Sequence, residues 1–423
     1  MNILVLHGIE NAGMVPKAVS DLELSLGRFE NKSTCLYHSY KNPFPNYLKD
    51  FRYDGIIIWS TFLDARHLRS TYDRVRSEYS FISTSDATVI ALPQDDYYCN
   101  ELLDQWMIDW NVDFVYSVLF DQANLLLPKC FEKGILMRGY TGYIFPEMIN
   151  LEKKITPFEG RRIDVSYRAS SVPSNLNRLG QYKAGIATDF NEKFANYNLK
   201  LDVSTRKEDF IYGKDWLKFI ENSRFVLGVN SGSSIRIPNL EISERIEKYT
   251  KSNPNTKYDL LVDKFLVDQH LDTYYTAISP RNIEASLLES CQITTNLGQY
   301  SNIMIPGIHF IAISPTCDNH IDVFEQMKDR SLVLKMIHNC KEAMLSKKRL
   351  RIGVLYSELA DLIKSNDNYP QSSVIEFKKK VISHRLYIES LIVKKKWANW
   401  KTHSNTSKFV KKIIKYKNNQ DLL

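Results

Sequence analysis

Short, almost wholly apolar runs alternate with amphipathic stretches along most of this 423-residue chain. NILVLHG, STCLYHSY, YDGIIIWS, TVIALPQ and VDFVYSV have strand length and are rich in β-branched and aromatic residues. Between them, VPKAVSDLELSLGRF, ARHLRSTYDRVRSEY and NELLDQWMIDW repeat apolar residues at helical spacing. Strands apolar on both faces, separated by helices with one apolar face, predict a parallel sheet covered on both sides.

The pattern breaks near Asn150 in NLEKKITPFEGRR, a charged stretch with a proline that reads as a linker. A second series follows: IDVSYRAS, QYKAGIATDFNEKFANY, LKLDVST, GKDWLKFIENS and RFVLGVN, then a less regular region, then TYYTAIS, IEASLLESC, QITTN and IHFIAIS. The expectation is two Rossmann-like α/β domains, 1–150 and 151–340, facing a cleft. After Ser331 the strands cease, so 341–423 is expected to be a helical extension, long enough to cross back over the first domain.

Composition narrows the class. An apolar share of 43% and a charged share of 25% suit a water-soluble globular protein. No apolar run reaches membrane-spanning length, and MNILVLHGIE has neither the basic start nor the cleavage site of a signal peptide, so the expected location is cytoplasmic. The six cysteines are scattered and the nine histidines show no ligand spacing, so neither disulfides nor a bound metal is expected. Charge is uneven: thirteen Lys and Arg stand against Glu389 alone between Lys378 and Lys417, leaving a mildly acidic body. In that tail Lys394, Lys395 and Lys396 precede Trp397 and Trp400, and Phe409, Ile413 and Tyr416 recur among further lysines. Cations beside interfacial aromatics suit an anionic membrane surface, with a helix packed on the first domain as the alternative. No nucleic-acid motif accompanies the charge.

Open α/β sheets bind ligands beyond the carboxyl ends of their strands. RFVLGV ends in a small turn containing Ser231 and Gly232, where backbone N–H groups can approach an anion, or which is simply a βα connection. Arg168 follows IDVSY and is a natural phosphate ligand, and Lys183 lies near the start of the next helix. Ser279, Pro280 and Arg281 turn a strand into a helix that carries Glu284 one turn in. A helix N-terminus favours anions, and a carboxylate there can accept both hydrogen bonds of a vicinal diol. Phosphate plus diol describes a nucleotide. Trp216, Tyr212 and Trp59 are expected in the core rather than stacked on a sugar.

The order R-x-x-DVSYR, LG with a lysine, W-x-x-FI-x-x-SRFVLGV-x-SG-S-S, AISPR-x-x-EA and Y-x-x-I-x-x-P-x-x-H-F-I resembles bacterial GT-B glycosyltransferases. It is most similar to the glycosyltransferase-like C-terminal domain of surface-polysaccharide enzymes, over roughly residues 160 to 330. The resemblance implies a nucleotide-sugar donor held by the second domain, with Glu284 on the ribose. Arg168, Lys183 and the turn from Ser279 to Arg281 would surround the diphosphate, and His309 would face the cleft. It implies no cofactor beyond that co-substrate, and no resident metal, because cationic side chains and helix dipoles stabilise the leaving group. Position 276 is threonine where retaining members place a first glutamate, and NSGSS replaces a pair of glycines, so the anomeric outcome stays open.

Such an enzyme needs a base on the acceptor side. Asp95, beside Asp96 after TVIALPQ, is the first choice, with His7 and Asp64 as rivals. The expected activity is sugar transfer to a hydroxyl of a bacterial surface glycan or its lipid-linked precursor. A catalytically silent binding protein of the same fold and a sugar-nucleotide epimerase are the other classes.

Overall fold

The computed structural model describes residues 1–29, 33–149, 155–169, 177–211, 213–254, 256–266, 274–365 and 374–403. The start of the expected linker (150–154), the expected core residue Tyr212 and the tail residues Phe409, Ile413 and Tyr416 lie outside them.

Each apolar run of the first half forms a strand: β1 (Asn2–His7), β2 (Thr34–Ser39), β3 (Gly55–Trp59), β4 (Thr88–Leu92) and β5 (Phe114–Ser117). A sixth, β6 (Leu136–Arg138), is too short to show as a periodic run. All pair in parallel, in the order β2-β1-β3-β4-β5-β6. β1, β3 and β4 are buried along their whole length, which is why their sequences lack a polar face. Trp59 is a core residue, as expected.

The second half supplies β7 (Ile163–Arg168), β8 (Leu201–Ser204), β9 (Ser223–Gly228), β10 (Ser231–Ser233), β11 (Tyr275–Ala277), β12 (Cys291–Thr295) and β13 (Ile311–Ile313). Five of these form a parallel sheet in the order β13-β12-β9-β7-β8. TYYTAIS does not join it: β11 pairs antiparallel with β10 beside the sheet. Between β10 and β11 the chain inserts two helices, Leu240–Ser252 and Tyr258–Phe265, around a small core of Ile235, Ile237, Ile246, Tyr258, Val262 and Leu266.

This insertion is fastened to the first half by main-chain bonds. Ile237 N–H donates to Tyr97 O at 2.9 Å and Glu101 N–H to Pro238 O at 3.0 Å. The Arg69 guanidinium grips both Glu244 oxygens at 2.9 and 3.2 Å, and the Tyr98 hydroxyl meets Ser243 Oγ at 2.5 Å.

The Arg330–Ser346 helix runs unbroken past residue 340, packs against β12, and sends Cys340 and Met344 into a core shared by both halves. The next helix, Ile352–Lys364, lies on the first sheet. Gly55 permits this, because a Cβ there would stand 2.4 Å from Ile363 Cδ1. The Tyr356 hydroxyl donates to Leu22 O at 2.6 Å and meets Ser25 Oγ at 3.0 Å. One compact unit spans Met1–Gln371; in the other, Ser372–Leu423, the described residues form a single helix, Val374–His403. No described helix is long and apolar enough to cross a membrane.

Candidate functional site

A cleft of about 560 Å³ opens at the carboxyl edge of the second sheet. Arg168, Lys183, Ser231, Ser279, Arg281 and Glu284 line it, so six residues singled out by sequence meet in one place. The Pro280–Leu287 helix explains the convergence. Ser279 caps it reciprocally with Asn282: Ser279 N–H and Oγ donate to Asn282 Oδ1 at 2.9 and 2.7 Å. With the proline at its first position, the helix start is fixed and its first turn faces the cleft.

Arg281 lies over the rings of Tyr167 and Trp216, 5.3 and 5.4 Å from their centroids, and donates from Nη2 to Arg168 O. Its Nε–H is buried without a partner among the described residues, a donor that a ligand would satisfy. Glu284 accepts from Trp216 Nε1 at 2.7 Å, and burial raises its carboxyl pKa against the pull of that bond, of Arg281 and of Lys17. Lys183 donates to no described side chain or carbonyl. Its pKa is brought down to about 8, first by burial and then by Arg281, with Asp95 opposing both. Among the described residues Lys183 makes no ion pair, whereas Arg281 has the Glu284 carboxylate close enough to lower that group's pKa.

Four expectations need correction. Arg168 is a clip rather than a free phosphate ligand: it donates to Asp209 O, Tyr167 O and Asp202 O at 2.8–2.9 Å and to Asp202 Oδ1 at 2.5 Å, which occupies most of its five N–H groups. Gly232 belongs to β10. Its φ of +132° and a Cβ position 1.8 Å from Tyr275 O show that glycine is needed for close strand approach, not for cradling an anion. His309 sits outside the cleft lining in a tight turn, where its Nδ1 accepts from Ile305 N–H at 2.9 Å. Trp216, expected in the core, lines the cleft and orients Glu284.

From the first half, Pro16, Lys17, Ala18 and Val19 reach the cleft at the start of the Lys17–Leu24 helix. Lys17, ion-paired to Asp21, was not anticipated, although Pro16 before a helix after β1 is the same signal that marked Ser279–Pro280.

The three base candidates stand along the edge of the first sheet, outside the cleft lining. His7 is buried, accepts at Nδ1 from Ile9 N–H at 3.2 Å, and has its pKa pushed down to about 4 by burial. Asp64 is pushed up to about 6 by burial, with Arg66 opposing and Asp95 adding to the rise. Asp95 is exposed, in left-handed backbone (φ +53°), and accepts from the Tyr97 hydroxyl at 2.7 Å. Asp95 and Asp96 do not form a pair at the cleft: Asp96 turns inward and accepts from Ser117 Oγ at 2.6 Å. The buried Arg66 guanidinium pins this region, donating to Leu63, Gln94, Asp95 and Tyr98 carbonyls at 2.8–3.1 Å. Glu23, pushed up to about 7 by burial, accepts from Ser60 Oγ and Thr61, whose hydroxyl receives Gly8 N–H. Neither Arg66 nor Glu23 carries a sequence signal, since each acts on segments distant in the chain.

No family model matches this chain, and no curated protein matches it in sequence. Solved structures do match. An alpha-glucosyltransferase (AGT) in complex with UDP is 11% identical, the match covering 86% of this chain and 100% of that one at a TM-score of 0.50. Anabaena HepE in complex with UDP-glucose is 8% identical, over 86% and 100% of the two chains at 0.49. The lipopolysaccharide outer core galactosyltransferase WaaB is 10% identical, over 86% and 99% at 0.42. Two parallel α/β sheets with a cleft, and a late helix returned to the first sheet, give this chain the GT-B fold with a helical C-terminal part.

Proposed function

We propose that this protein is a glycosyltransferase that moves a sugar from a nucleotide-sugar donor to an acceptor hydroxyl. The observation that carries the reading is the cleft itself. A Lys183 ammonium and an Arg281 Nε–H that have no partner among the described residues meet the Glu284 carboxylate at a capped helix N-terminus. Lys183, Arg281 and the helix start would hold the diphosphate and absorb the charge that develops as the sugar–phosphate bond breaks. Glu284, steadied by Trp216, would accept from the ribose hydroxyls. Asp64 or Asp95 would take the proton of the attacking hydroxyl. In this reading side-chain cations and the helix dipole take the role a resident metal has elsewhere. The proposed acceptor is a bacterial surface glycan or its lipid-linked precursor, met in the cytoplasm or at the inner face of its membrane.

The second reading is a binding protein of the same fold, without turnover. Thermal-shift screening against UDP-, GDP-, dTDP- and CMP-sugars comes first, because a ligand of the folded state raises its stability. If none shifts the melting temperature, the donor reading fails. For a nucleotide that does, Glu284→Gln should weaken binding about tenfold or more by calorimetry, since a hydrogen bond to a charged group is worth about 1.5–3 kcal/mol. Slow hydrolysis of the bound nucleotide-sugar would set an enzyme apart from a silent binder.

A further inference from the structure

The Val374–His403 helix carries an apolar stripe that nothing in the sugar-transfer reading uses. Ile375, Ile382, Leu386 and Val393 are 70%, 61%, 61% and 64% exposed. Their spacings of seven, four and seven residues place all four within about 20° of one line at 100° per residue. Phe377 and His384, on the opposite side, are buried, so the stripe is the open face of the helix. Isolated exposed apolar residues are ordinary, but four aligned over five turns mark an interaction surface.

The flanks say what fits it. Lys378, Lys379, Arg385 and Lys394 are exposed at its borders, and the acids of the described helix are Glu376 and Glu389. A second copy of the helix would bring the same cations face to face. A coiled-coil seam through all four would also need apolar residues at 379 and 389, which are Lys379 and Glu389. An apolar line with a cationic border is complementary to a surface of acyl chains under negative headgroups. We infer that the exposed face of the Val374–His403 helix is a docking surface for an anionic lipid bilayer. The helix lies in the interface plane, with Ile382 and Leu386 inserted and the lysines at headgroup level. The expectation drawn from sequence is thereby moved from the tail beyond Lys394 to a segment that begins twenty residues earlier.

The test is co-sedimentation of the full chain with vesicles of phosphatidylglycerol and phosphatidylcholine, and with phosphatidylcholine alone, at low and high salt. The full chain should bind the anionic vesicles, less so in high salt. The double variant Ile382→Glu, Leu386→Glu should bind about tenfold more weakly or worse, with an unchanged melting temperature because both positions are exposed. Lys378→Glu, Arg385→Glu should lose binding to anionic vesicles in the same range. Undiminished binding by the first variant would assign anchoring to residues 404–423 and overturn the inference. So would the absence of vesicle binding by the full chain, whether or not ultracentrifugation shows dimers that Ile382→Glu abolishes. None of these outcomes depends on whether the cleft transfers sugar.

Discussion

The Lys183 ammonium offers the sharpest test of the proposed phosphate site, because its charge disappears within an accessible pH range. Burial and Arg281 bring its pKa to about 8. The group is then about nine-tenths protonated at pH 7 and about one-tenth at pH 9. If only the ammonium form grips a phosphate oxygen, nucleoside diphosphate affinity falls about tenfold between those pH values, or ~1.4 kcal/mol, at the lower end for a hydrogen bond to a charged group. The sign follows from lysine losing its charge as pH rises, so binding is strongest on the acid side. UDP binding measured by calorimetry from pH 7 to 9 reads this directly. Lys183→Gln should bind more weakly at pH 7 and lose the lysine-dependent part of the slope, while its own profile records any titration of the nucleotide. A variant that keeps both the wild-type affinity and the wild-type slope would remove Lys183 from the phosphate site.

Two further outcomes are expected. Asp64→Asn and Asp95→Asn separate the base candidates: the true base should lose about a hundredfold or more in turnover with donor affinity nearly intact, and if it is Asp64, turnover in the wild type should rise through pH about 6. Gly232→Ala should lower stability in urea unfolding by about 3 kcal/mol or more, because the added Cβ meets the Tyr275 carbonyl in backbone that L side chains rarely adopt; wild-type stability would refute the packing of β10 on β11.

The first sheet was legible because a strand buried on each face leaves a continuous apolar run, as GIIIW and TVIAL do. The turn from Ser279 to Arg281 was legible because capping chemistry is local. What depends on distant partners was not. Arg168 has the sequence context of a phosphate ligand, yet Asp202 and the Asp209 carbonyl claim it. Asp95 and Asp96 are adjacent in sequence and face opposite ways, because left-handed backbone at Asp95 turns the chain between them. The β10–β11 insertion was hidden because Ile235, Ile237 and Ile246 are too sparse to mark a core. Lys17 reaches Glu284 across more than 260 positions, and no pattern along one chain announces that.

The helix that returns to the first sheet also governs the order in which the chain can finish folding. Leu355, Leu359 and Ile363 share one core with Ile57, Trp59 and Ile90, so this face of the sheet is completed by residues near position 360. A ribosome releases β6 after Arg138 but must add more than 200 residues before Ile363 can reach Gly55. At about 5–20 residues per second that interval is roughly 10–45 s. Throughout it the nascent first sheet carries an uncovered apolar surface, which is a binding site for a holding chaperone. A fragment made of the first half alone would keep that surface permanently and self-associate through it.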